Sequence, residues 1–102
     1  MIAKEKALLI IEKEFENYGF QLLSINDRAF WCLDKCYCVI TYLEGYSAFV
    51  IESTASRDDA EKGVLEDGEL FFINRLSEDE LIQKLRVELD FFTNIAKKAP
   101  QF

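Results

Sequence analysis

Hydrophobic and polar positions organise this chain around one stretch, Cys36 to Ser53, CYCVITYLEGYSAFVIES. Eight residues on either side of Glu44-Gly45 are dominated by Val, Ile, Tyr, Phe, Thr and Cys, which pack well on a pleated surface, and Gly45 is able to take the positive φ of a tight hairpin. The pattern predicts two strands joined by a two-residue loop. Leu43 then faces Tyr46, Thr41 faces Ala48, Val39 faces Val50 and Tyr37 faces Glu52. The opposite face, Cys36, Cys38, Ile40, Phe49 and Ile51, is almost purely apolar and is assigned to the core, whereas the first face mixes Tyr, Thr and Glu, as half-covered antiparallel sheets do. A loop one residue longer would swap some of these faces.

Upstream, Ile2 to Tyr18 reads as an amphipathic helix, with Ala7, Leu8, Ile11, Phe15 and Tyr18 spaced by three and four, and Gly19 sits where a left-handed cap ends a helix. Leu9 and Ile10 widen the apolar sector, so this helix is either nearly buried or meets a partner. Phe20 to Ile25 and Ala29 to Leu33 are strands joined through Asn26-Asp27-Arg28, and a turn at Asp34-Lys35 leads into the central hairpin. Four strands at such short intervals form a meander. Downstream, STASRDDAEKGVLEDGE reads as a long surface loop with one helical turn at Asp58 to Lys62. Glu69 to Asn74 is a fifth strand, at an edge or beside the fourth. Ser77 with Glu80 makes a capping box, Leu76 is placed to staple onto Leu81, and Leu81, Leu85, Leu89, Phe92 and Ala96 run in steps of three or four to about Lys97, with Pro100 closing the helix.

The expectation is therefore one α+β domain over residues 1–102: an N-terminal helix, an antiparallel β-meander of four to five strands, and a C-terminal helix, with both helices on one face of the sheet. The face they leave open would present Tyr37, Thr41, Leu43 and Tyr46, with Trp31 beside them; such aromatic residues are either simply a solvated sheet face or, as a cluster, what a partner-binding hot spot looks like. At this length folding removes about 65% of the unfolded chain's surface from water, enough for a core without staples. Half the residues are hydrophobic and 14% are aromatic, which argues against disorder.

Charge adds a second candidate surface. The net charge is −7, and the stretch from Asp58 to Glu80 holds nine acidic residues against Lys62 and Arg75, so the remainder of the chain sums to zero. Nucleic-acid backbones are poor partners for such a chain, because phosphate binding needs concentrated Lys and Arg. The loop carboxylates Asp58, Asp59, Glu61, Glu66 and Asp67 either keep the domain soluble or meet a basic protein, for which they would speed encounter while buried aromatics supplied affinity. The longest apolar run near the N-terminus, Ala7 to Ile11, is too short for a signal peptide or a membrane span, and a cytoplasmic location is expected.

Reaction chemistry finds little to start from. The chain has no histidine, which removes the commonest general base and metal ligand. Cys32, Cys36 and Cys38 are odd in number and spaced C-x-x-x-C-x-C, unlike paired zinc knuckles, and read as reduced, buried small hydrophobes. Residues Asp58 to Glu69 imitate a calcium loop at Gly63 and Glu69, but Ala60 and Lys62 stand where ligands are required. No phosphate or dinucleotide loop is present. No enzyme activity, cofactor or metal is expected.

A short, acidic, cysteine-containing domain with a helix, an antiparallel meander and a C-terminal helix resembles the small α+β immunity proteins of bacterial polymorphic and contact-dependent toxin systems. The resemblance implies a non-enzymatic inhibitor that binds and occludes a basic toxin or effector domain. The contacts expected from charge and exposure are Asp58, Asp59, Glu61, Glu66 and Asp67, with Tyr37, Tyr46 and Trp31 on the sheet. The alternative class is a self-associating, homodimeric structural or small-ligand-binding module, whose assembly would be nearly indifferent to salt.

Overall fold

A computed structural model describes residues 1–98, with side chains as far as Asn94. The element order is α1 (Lys4–Asn17), β1 (Gln21–Ile25), β2 (Arg28–Leu33), β3 (Cys36–Leu43), a single 3-10 turn (Glu44–Tyr46), β4 (Ala48–Thr54), α2 (Arg57–Lys62), β5 (Glu66–Phe72) and α3 (Glu78–Lys98). The strands form one open antiparallel sheet in sequence order, β1-β2-β3-β4-β5.

Period-two alternation separates the two faces of this sheet. On one face Trp31, Cys36, Cys38, Phe49, Ile51 and Phe71 meet Ala7, Ile11 and Phe15 of α1 and Leu81, Leu85, Leu89 and Phe92 of α3 in the main core. Both long helices therefore cover the same face, as the apolar positions of the central hairpin predict. The helix periodicities hold: Ala7, Ile11 and Phe15 are buried on α1, and Leu81, Leu85 and Leu89 on α3. Leu9 is 66% exposed, while Ile10 packs at the edge of the core. Gly19 follows α1 at φ +91°, a conformation that side chains resist, and this lets the chain reverse directly into β1.

The start of α3 follows its sequence signal closely. Ser77 Oγ accepts from the Glu80 N–H at 3.1 Å, and Glu80 Oε1 accepts from the Ser77 N–H at 3.0 Å, satisfying two donors that a bare helix end would leave open. These bonds hold the Glu80 carboxyl below its ordinary pKa. Ala96 and Pro100, assigned to the end of this helix, lie outside the side chains and residues described. Between the helices, Glu14 is buried and takes the Arg86 guanidinium at 2.8 Å and the Asn17 amide at 3.2 Å, while the Tyr18 hydroxyl donates to Asp90 Oδ1 at 2.8 Å. A buried carboxylate is tolerated here because α3 brings it a cation.

Three details of the predicted sheet are corrected. First, the central hairpin is closed by four residues, Glu44 to Ser47, so Leu43 pairs with Ala48, Thr41 with Val50, Val39 with Glu52 and Tyr37 with Thr54. The shift is two residues on β4, an even number, and the faces survive it. The left-handed position belongs to Ser47 at φ 48°, and Gly45 does not take a positive φ. Second, the acidic stretch is no long loop. Ser56 caps the short helix α2 by accepting from the Asp59 N–H at 3.2 Å, and β5 begins at Glu66, three residues before the predicted start. Third, the face away from α1 and α3 is only partly open: Ala60 of α2, with Leu65 and Tyr37 beside it, closes a second small core over Ile25, Phe30, Cys32 and Val39.

Candidate functional site

Since α2 covers the β1 to β3 side of the second face, the β3 to β5 side is left uncovered. There Thr41 and Leu43 of β3, Tyr46 of the turn, Val50 and Glu52 of β4, and Asp67, Gly68 and Leu70 of β5 line a concavity of about 640 Å³. Register explains the set. Thr41 pairs with Val50 and Val50 with Leu70, so three strands in a row send side chains to the same face. Tyr46, in the turn, stands at the rim and is 66% exposed.

One end of this groove is apolar and the other is acidic. Glu52 pairs with Asp67 across β4 and β5, two carboxylates directly opposed. Glu52 is half-buried, accepts from the Thr41 hydroxyl at 2.6 Å and lies 3.7 Å from the Arg28 guanidinium. Asp67 is exposed, and among the described residues it has no ion pair. Like charges opposed on a sheet destabilise it by a few tenths of a kcal/mol. Folding gains nothing from that placement.

Beside the groove the β5 edge carries an irregularity. Pairing shifts between Val50 and Glu52, leaving Gly68 and Glu69 opposite Ile51 alone, which is a β-bulge. A Cβ on Gly68 would come within 2.5 Å of Glu88 Oε1 and 2.8 Å of the Ile51 carbonyl oxygen. The bare glycine thus admits the Glu88 carboxylate of α3, which accepts a hydrogen bond from the Glu69 N–H. Burial pushes the Glu88 carboxyl up, and the neighbouring charge of Glu69 adds to this; the Glu69 N–H and Lys84 oppose it.

Of the eight expected contact residues, Tyr46 and Asp67 line the groove. Glu66 lies next to Asp67 on β5, exposed, and pairs with Ser53. The three acids of α2 are elsewhere and partly matched on their own helix: Asp58 bridges to Lys62 at 2.7 Å and Glu61 to Arg57 at 3.2 Å. Asp59 is half-buried and faces a smaller cleft with Cys36, Glu66 and Phe91. The acidic segment is therefore spread over three elements, with Glu78, Asp79 and Glu80 spent on the first turn of α3. Tyr37 is half-buried against the second core.

Trp31 is the clearest correction. It pairs with Cys38, so it points to the helix side, where it is 7% exposed and stacks on Phe15 at 5.7 Å. Glu52, Val50 and Leu70 were not among the expected contacts. Leu70 escaped because EDGE in front of it is poor in strand-forming residues, although its spacing from Asp67 and Phe72 places it on a consistent face once the bulge is counted.

The three cysteines are free and buried. Cys36 and Cys38 share the helix-side core, their sulfurs 3.7 Å apart, while Cys32 lies in the second core on the opposite face. The hydrogen bond with the Cys36 thiol, then burial, hold Cys38 in its protonated form. Among the described residues no group of three or more His, Cys, Asp or Glu side chains is arranged to hold a metal ion, and no helix is long and apolar enough to cross a membrane. Compared with protein-family models, with curated proteins and with solved structures, the chain matches none.

Proposed function

We propose that this chain is a non-enzymatic binding protein of the immunity-protein kind, acting in the cytoplasm, that occludes a basic protein domain through the uncovered β3 to β5 face. The observation that carries this reading is the groove's polarity. Leu43, Val50, Leu70 and the exposed ring of Tyr46 offer an apolar surface at one end, and Glu52 and Asp67 put two opposed carboxylates at the other. An Arg or Lys side chain inserted at that end would relieve the like-charge pairing, while an apolar neighbour fills the rest. Glu66, the next residue on β5, alternates to the other face and lines the cleft with Cys36 and Phe91, so it lies outside this acidic end. The acids of α2 contribute less than the sequence suggested, because Lys62 and Arg57 offset two of them.

The test is capture of a partner at low and high salt by the natural chain and by a Tyr46→Ala/Asp67→Lys variant. Support requires one basic protein at equal stoichiometry whose own activity is inhibited by the natural chain. The variant should bind it at least about tenfold more weakly, and association should slow as salt rises. A partner held equally by both chains and indifferent to salt would refute the assignment to this face, and so would a failure to recover any inhibited protein.

A further inference from the structure

An open sheet has two edges, and those of this protein are treated differently. The β5 edge carries Glu66, Asp67 and Glu69, is bent by the bulge at Gly68 and is overhung by Glu88. Charge, bulging and a covering side chain are the devices that keep edge strands from pairing with other chains. The β1 edge has none of them. Its sequence, QLLSI, contains no charge, no proline and no bulge, and Gln21, Leu22, Leu23 and Ser24 are all exposed.

Turn geometry determines which backbone groups β1 offers. Asn26 and Asp27 are both left-handed, at φ 50° and 64°, and join Ile25 to Arg28 in a two-residue hairpin. In such a hairpin the flanking pair exchanges both hydrogen bonds, so Ile25, Leu23 and Gln21 direct their N–H and C=O groups inward to β2. The same groups of Leu22 and Ser24 point outward, and among the described residues no strand lies there to take them.

We propose that the β1 edge pairs antiparallel with the β1 edge of a second copy of this chain, about a two-fold axis through Leu23. Leu22 then exchanges both hydrogen bonds with Ser24 of the second copy and Ser24 with its Leu22, four bonds in all, which uses every outward group of the strand. Leu23 meets its own symmetry mate at a non-hydrogen-bonded position, where side chains approach closest, and hides apolar surface that the monomer leaves 43% exposed. The five-stranded sheet becomes ten-stranded.

Charge selects the second copy over a pairing at the other edge. The carboxylates of β5 lie four strand spacings from β1, roughly 19 Å, which exceeds the screening length at physiological salt. Two molecules of net charge −7 thus meet at an uncharged seam, whereas β5 against β5 would oppose Glu66, Asp67 and Glu69 to their own copies. The seam is small compared with standard interfaces, so the association is expected to be weak. It leaves the β3 to β5 groove free.

Sedimentation equilibrium on the full chain up to about 1 mM, a range suited to weak association, should show a monomer–dimer equilibrium. Ser24→Pro removes an outward donor without touching the bonds to β2 and should weaken dimerisation at least about tenfold while circular dichroism stays unchanged. Leu23→Cys places two sulfurs across the axis at a Cα separation near 4.5 Å and should form a disulfide-linked dimer under mild oxidation. Leu9→Cys, exposed on α1, should form it far more slowly. A strict monomer, a dimer unaffected by Ser24→Pro, or equal cross-linking of Leu23→Cys and Leu9→Cys would each overturn the proposal. Should Ser24→Pro fail to fold, the two cysteine variants decide it.

Discussion

Glu52 and Asp67 face each other across β4 and β5, and among the described residues Glu52 alone of the two has a local partner, the Thr41 hydroxyl at 2.6 Å with Arg28 farther away. Asp67→Lys replaces a repulsive cross-strand pair with an attractive one and should stabilise the fold by about 0.5 kcal/mol, the scale of such pairs. The same substitution should weaken binding of the basic partner. Denaturant unfolding and partner titration on one protein sample provide both readings, and loss of both stability and binding would mean that Asp67 has a structural role instead.

Gly68→Ala tests the bulge. The added methyl meets a carboxylate that α3 holds in place and a backbone carbonyl that cannot retreat, so a loss of about 1–3 kcal/mol is expected, the range for forced overpacking. Adding Glu88→Ala should restore only part of it, because the Ile51 carbonyl oxygen remains at the same site. Urea midpoints of the two variants check this.

Glu88 also gives a pH signature. Its folded-state pKa is raised, so the folded protein holds this proton more readily than the unfolded chain does. The favourable contribution is complete below the unfolded carboxyl value and fades as pH rises through the folded one. Glu88→Gln keeps an oxygen to accept from the Glu69 N–H and loses the charge. Its stability relative to the natural chain should therefore improve as pH rises above the ordinary carboxyl range. The gain should be no more than about 0.5 kcal/mol, because the group is half-exposed and solvent screens it.

Trp31 is the only tryptophan, and its stacking on Phe15 makes it a reporter of the main core. Native fluorescence should be blue-shifted and resistant to acrylamide, and should shift red in the same transition that melts α1 and α3. Phe15→Ala, which opens the cavity beside it, should cost about 3–5 kcal/mol. A red-shifted, readily quenched native spectrum would contradict the packing described for Trp31.

Much of the fold was legible in the sequence because its signals were local. Ser77 and Glu80 announce α3, Gly19 announces the end of α1, and the alternation of Cys36, Cys38, Phe49 and Ile51 picks out the buried face. What the sequence hid depended on pairings between elements. The four-residue turn places its left-handed residue at Ser47, which no glycine marks, and β5 opens with acidic residues that disfavour strands and are held there by β4. Trp31 shows the same limit for the candidate site. An aromatic residue in a short strand is equally compatible with either face until register with Cys38 decides it. The groove was half legible for that reason: Tyr46 and Asp67 were visible as types, and Leu70 and Glu52 joined them only through cross-strand neighbours.

Every strand pairs with its neighbour in sequence, whereas the clasp of Glu14 and Arg86 joins residues 72 positions apart. The meander closes small loops and is favoured to assemble early, and the contact between α1 and α3 carries the larger entropic cost. A chain emerging from the ribosome therefore displays the apolar face of Cys38, Phe49, Ile51 and Phe71 before α3 has been synthesised to shelter it. In that interval the nascent domain exposes the kind of apolar surface that chaperones shelter, and truncation ahead of Leu81 would leave it uncovered.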